Sequence, residues 1–138
     1  MKDCVVSIKG FQNYSDDKDC IEMKASGKFQ YSCKKTVAVY YESQVKNNDV
    51  RVLLKYYDSG KLVIERSGAL ENTMCFEKGK RHCEAYANAQ GKMWMGIYCE
   101  SLYSDLNEIG GTISADYQLD VEGRIVSRNS IEITLKEV

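Results

Sequence analysis

Arg66 is the residue whose type and setting speak most directly to chemistry. It alternates in step with Leu62 and Ile64. If that is the buried side of a strand, a guanidinium points into the interior. A buried charge is costly unless it is paired and hydrogen-bonded. Glu42, in step with Ala38 and Tyr40, is the candidate partner. Two readings stay open. Arg66 anchors a carboxylate or phosphate on a ligand through its bidentate fork, or it makes a structural ion pair with its tip reaching water. His82 is the single histidine, and so the natural general acid or base of a catalyst. It follows the Lys78-Gly79 turn and alternates with Glu84, Tyr86 and Asn88, a polar row that lines a wet interior or faces solvent. No serine or cysteine is tied to it by a known signature, and no phosphate-binding glycine loop, nucleophile elbow or catalytic carboxylate pair is present. Catalysis is therefore the less favoured reading, and no catalytic residue is assigned.

Ten tyrosines, three phenylalanines and one tryptophan supply walls with an apolar body and a polar tip. Tyr40, Tyr86 and Tyr117 are the lining candidates, with Phe76 and Met95 as apolar surface; the competing reading is that they fill a core. The expected ligand-binding set is thus Arg66, Glu42, Tyr40, His82, Tyr86, Tyr117 and Phe76. Six cysteines stand at 4, 20, 33, 75, 83 and 99, with no CxxC spacing. Neither a metal site nor a cofactor is expected from that spacing. The thiols read as buried small hydrophobes. Cys75 and Cys83 flank Lys78-Gly79 and face each other only if the two flanking strands pair closely, which is the condition for a disulfide there.

The elements that must position these residues alternate with a period of two. Val37 to Tyr41, Val50 to Tyr56, Leu62 to Ile64, Ile113 to Val121 and Ile131 to Leu135 are half-buried strands, apolar on one face. Asp58-Ser59-Gly60-Lys61, Glu77-Lys78-Gly79-Lys80 and Val121-Glu122-Gly123-Arg124 are turns with a glycine at a positive-φ position. Asn13 to Asp19 and Ser43 to Asp49 read as polar loops, and Cys99 to Asn107 as a weak helix or a continued strand. Gly27 and Gly96, inside strand-like runs, read as bulges or sharp bends. There is no proline, which suits long paired strands but leaves no proline to guard an edge. The expectation is one all-β domain over residues 1–138, a closed antiparallel barrel of about eight to ten strands, with an open sandwich as the alternative.

Several short stretches, in this order and spacing, resemble one family. They are Ile8-Lys9-Gly10-Phe11-Gln12, Gly27-Lys28-Phe29, Tyr40-Tyr41-Glu42-Ser43, Glu65-Arg66-Ser67-Gly68, Phe76-Glu77-Lys78-Gly79-Lys80-Arg81-His82, Tyr86 to Gly91, Gly110-Gly111 and Ile131-Glu132-Ile133. The chain is similar to the YwiB-like proteins, bacterial domains of unknown function. The resemblance implies a calycin-like (lipocalin-like) β-barrel and brings no catalytic residues. One departure is Asn88, where the family pattern leads one to expect threonine.

Composition narrows the partners. Nineteen basic residues face twenty acidic ones, a net charge of −1, which offers phosphate no broad attraction. The nearest basic cluster is Lys78, Lys80, Arg81 and His82. No nucleic acid is expected as a partner. No segment approaches the ~18 apolar residues of a membrane helix, and no signal-peptide core follows Met1. A cytoplasmic protein is the expectation. The leading reading is a barrel that holds a small, anionic or amphipathic molecule. The alternative is an interaction module working through its outer surface, including as a homodimer.

Overall fold

A computed structural model describes the backbone except at 15, 16, 46, 47, 69, 70, 89 and 90; the side chains of these and of 14, 17, 18, 42–45, 48, 49 and 88 also lie outside the described residues. Ten strands follow one another: β1 (Lys2–Tyr14), β2 (Asp17–Gln30), β3 (Lys35–Val45), β4 (Asn48–Tyr57), β5 (Lys61–Gly68), β6 (Asn72–Glu77), β7 (Arg81–Asn88), β8 (Gly91–Asn107), β9 (Gly110–Val121) and β10 (Arg124–Glu137). They form one antiparallel sheet in the order β6-β5-β4-β3-β2-β1-β10-β9-β8-β7. The two ends of the chain meet in the middle of that order, where Val6 opposes Leu135 and Ile8 opposes Ile133. The sheet curls until its edges touch. Glu71 and Ala87 exchange both backbone hydrogen bonds, at 3.1 and 3.0 Å. The result is a nearly closed barrel, as the alternation and the family resemblance lead one to expect.

Every strand except β7 sends apolar side chains into the buried interior. Val6, Phe29, Val52, Leu62, Phe76 and Ile133 are wholly buried in one continuous cluster. The connections divide between two ends. The upper end carries the C-terminal ends of β1, β3, β5, β7 and β9, and the lower end those of β2, β4, β6, β8 and β10.

Several expectations change on folding. Within the stretches 13–19 and 43–49 the described backbone is strand, while 15, 16, 46 and 47 lie outside the described residues. β1 runs to Tyr14 and β2 starts at Asp17, while β3 reaches Val45 and β4 starts at Asn48. Backbone pairing across each hairpin outweighs the weak strand propensity of Asn, Asp and Lys. Cys99 to Asn107 is strand. A bulge between Cys99 and Ser101 leaves Glu100 without an opposite residue. It shifts the inward set from Ile97 and Cys99 to Leu102 and Leu106. That single extra residue makes the apolar spacing mimic a helix.

Glycines 27 and 96 are close-approach sites, with no register shift at either. Gly27 opposes Tyr40 where the β2–β3 ladder ends, and a methyl there would lie 2.5 Å from the Val39 carbonyl. A methyl at Gly96 would strike the Arg81 Nη2 and both Asp120 carboxylate oxygens. The Cys75–Cys83 hairpin does not form. β6 pairs with β5 and β7 with β8, so Cys75 opposes Val63 and Cys83 opposes Gly96. All six cysteines are free, three buried (Cys4, Cys75, Cys99) and three exposed (Cys20, Cys33, Cys83). Cys20 lies on the polar side of β2, out of step with Met23, Ala25 and Phe29, so it faces outward.

Candidate functional site

The interior changes character along the barrel axis. Its middle is packed. Tyr40 and Phe76 are wholly buried, and Tyr117 is 8% exposed. The Phe76 ring meets Tyr117 edge-on, with centroids 4.9 Å apart and planes at 76°. That contact joins β6 to β9 across the interior. These three expected lining residues are therefore also core, at least over their rings.

Towards the upper end the inward positions become polar. β5 carries Leu62 and Ile64 and then half-buried Arg66. Arg66 opposes Val52 on β4 and Asn72 on β6. Its Nη1 donates to the Met74 sulfur at 3.4 Å. On the other wall, β10 changes from Ile133 and Ile131 to Asn129 and Ser127. Asn129 Nδ2 donates to Ser127 Oγ at 3.0 Å. Asn129 opposes Tyr117 on β9 and Gln12 on β1. Asn72 and Asn129 are more than nine-tenths buried, at 8 and 4% exposure, yet the Oδ1 of each lacks a hydrogen-bond partner among the described residues. Buried carbonyl oxygens are ordinarily satisfied, and each one left bare costs about 1–3 kcal/mol. The backbone of Glu42 opposes Val50, next to Val52 and hence near Arg66 in the sheet; its side chain lies outside the described residues. Neither asparagine was singled out from sequence. Polar residues at inward positions of β6 and β10 were the available signal, and asparagine next to a turn reads more readily as turn chemistry.

The remaining expected residues go elsewhere. Tyr86 and Met95 are half-buried on β7 and β8. His82 Nε2 sits 2.9 Å from Glu77 Oε1, at the lower end of β6. Glu77 opposes Lys61, whereas Arg66 opposes Asn72 at the other end of the same ladder. Arg66 and His82 are thus not brought into one cluster.

At the seam between β6 and β7, Glu77 also meets Lys80 at 3.4 Å and Lys61 at 4.0 Å. Burial pushes Glu77 upward, but the contacts with Lys80 and His82 outweigh it and leave the carboxyl below its ordinary value. Burial pushes the Cys75 thiol up, against a pull from Lys61. On the outer wall Arg81 reaches across Gly96 to Asp120, with Nε–Oδ2 at 2.9 Å and Nη2–Oδ1 at 2.7 Å. Those hydrogen bonds, joined by the Gly123 backbone, hold Asp120 below the usual carboxylate range and Arg81 firmly charged. Three of the four members of the basic cluster, Lys80, Arg81 and His82, are thereby engaged with carboxylates.

Comparison with known proteins follows this geometry. The family model "Domain of unknown function (DUF1934)" matches residues 6–133. The chain belongs to this family. Among solved structures, the crystal structure of the ywiB protein from Bacillus subtilis superposes with a TM-score of 0.89 at 23% identity, covering 99% of this chain and 92% of that one. At that identity the likeness shows the barrel. A search of curated proteins gives no match. Among the described residues, no helix is long and apolar enough to cross a membrane.

Proposed function

We infer that the barrel holds a small molecule at its upper end, with an anionic or strongly polar head towards Arg66 and hydrogen-bond donors towards Asn72 and Asn129. The observation that carries this reading is the pair of nearly buried Oδ1 atoms without partners among the described residues, on two walls of the same end. A folded chain ordinarily avoids such groups, and a ligand hydroxyl or amide N–H would satisfy them. Arg66 supplies a fork suited to a carboxylate or phosphate. The packed middle, with Phe76 against Tyr117, supports a ligand in the polar layer rather than along the whole lumen.

Native mass spectrometry of protein purified from its own host tests this. The expected result is a retained small molecule that is lost on denaturation, and whose occupancy falls in Arg66→Ala and Asn72→Ala. A clean apo mass, with no change in melting temperature on addition of anionic amphiphiles, overturns it.

A second reading is favoured by exposed apolar side chains at the same end. Trp94 is 51%, Ile125 67% and Val126 41% exposed. Exposed apolar surface of this kind marks interaction sites, and a second copy of the chain is its simplest occupant. Light scattering that finds only monomer at high concentration removes this reading.

A further inference from the structure

We propose that Cys75, Glu77 and His82 form a binding site for a zinc-class divalent cation at the seam between β6 and β7. One ligand atom from each, the Cys75 sulfur, a Glu77 carboxylate oxygen and a His82 ring nitrogen, lie within 4.8 Å of one another. The backbone explains why they meet. Cys75 and Glu77 are two residues apart on β6 and share a face. The Lys78-Gly79 turn, with Gly79 at φ 77°, then reverses the chain. The Gly79 N–H donates to the Cys99 carbonyl at 2.8 Å, and Cys99 N–H donates to the Lys80 carbonyl at 3.3 Å. β7 therefore starts beside β8, and among the described residues β6 and β7 share no ladder. His82 Nε2 reaches Glu77 Oε1 at 2.9 Å across that junction.

The donor set suits the metal. Thiolate, imidazole and carboxylate are the three ligand types of zinc, and three protein ligands with a fourth position open to solvent is a familiar arrangement. Zn–ligand bonds of about 2.0–2.3 Å put tetrahedral donors roughly 3.3–3.8 Å apart. The Nε2–Oε1 pair at 2.9 Å has to open slightly, and no pair has to close by more than about an ångström on that estimate. Cys75 is 6% exposed, although Phe76 on the opposite face of β6 is fully buried. Both faces of β6 are thus covered here, which keeps the sulfur from bulk oxidants. His82 and Glu77 side chains are 28 and 23% exposed, leaving an entry path. Binding displaces the thiol proton of Cys75 to solvent. Lys61 and Lys80, which now hold Glu77, are the cations the metal must replace. Their side chains are 40 and 67% exposed, so both can swing into water.

The inference is independent of the ligand reading, because the upper end and this seam share no residue. The test uses the reduced full chain and Co2+ alone as the spectroscopic probe. The expected result is a thiolate-to-cobalt charge-transfer band that saturates at one equivalent and is displaced by Zn2+. His82→Gln and Glu77→Gln should each weaken binding by at least about tenfold, since even an outer-shell change costs that much. Cys75→Ser should remove the band, while Cys83→Ser and Cys20→Ser leave it. Because Cys75 is buried, the two half-exposed variants carry the test if Cys75→Ser unfolds. The proposal is overturned by absence of the band, by a band that follows the exposed cysteines, or by unchanged affinity in both His82→Gln and Glu77→Gln.

Discussion

Arg81, Asp120 and Gly96 show how one residue's lack of a side chain lets two others work. The guanidinium crosses β8 over Gly96 to reach the carboxylate in bidentate geometry. In Gly96→Ala the atoms nearest the added methyl are the ends of those two side chains rather than backbone, so the barrel survives and the ion pair separates. We expect a loss of about 1 kcal/mol in denaturant unfolding and, in a double-mutant cycle, no remaining coupling between Arg81 and Asp120. Gly27→Ala is different, because its methyl meets the fixed Val39 carbonyl; there the expected loss is about 2–3 kcal/mol. Asp120 also sets a pH dependence. Its folded value lies below the ordinary 3.8, so its contribution is complete above that pH and is lost as pH falls through the lowered value. Urea titrations of wild type and Asp120→Asn should converge in that acid range and differ above it. Asn72 works in the opposite sense. With its Oδ1 buried and bare, Asn72→Leu should raise the stability of the ligand-free protein by about 1 kcal/mol while lowering ligand retention. If that variant is destabilised and retention is unchanged, Asn72 is a structural residue.

At the scale of the element, β8 is the strand whose continuity depends on an irregularity. Glu100 is the extra residue of its bulge, and the residues on either side keep the alternation their partners on β9 require. Deleting Glu100 preserves Leu102 opposite Ala115 and Leu106 opposite Gly111. Deleting Tyr103 instead turns Asp105 inward and Leu106 outward, because a slip of one residue reverses every side chain beyond it. Thermal unfolding should show a small loss for the Glu100 deletion and a much larger one for the Tyr103 deletion. Equal losses would mean that the bulge itself, rather than the alternation, holds the strand.

Across the whole molecule, a continuous ladder joins the two chain ends, whereas among the described residues the seam is held by one backbone bridge. β1 and β10 pair from Cys4 with Glu137 to Asn13 with Arg128. At the seam, Glu71, just before β6, bridges to Ala87 of β7. Amide protection reports such differences, since few backbone hydrogen bonds across a junction permit local opening. Hydrogen exchange should therefore be slow for Val6, Ile8 and Ile133 and faster for amides along β7. One equivalent of Zn2+ should slow exchange around His82 if the seam holds a metal. Uniform protection around the barrel would show that side chains close the seam as firmly as a ladder.

The two-residue alternation, the turn glycines at 60, 79 and 123 and the missing prolines determined an antiparallel all-β chain, because strand pleat and turn stereochemistry are local properties. They also placed Arg66 on the inward side of its strand, since alternation alone sets that. What only the tertiary structure decided are facts of register between distant strands. Asn72 and Asn129 reach the same end of the barrel because the sheet curls, and the ladder of β6 with β5 rather than β7 separates Cys75 from Cys83. That same choice brings His82 to Glu77 instead of Arg66. No spacing along the chain contains the closure of a barrel, because closure depends on which edges touch after all ten strands have paired.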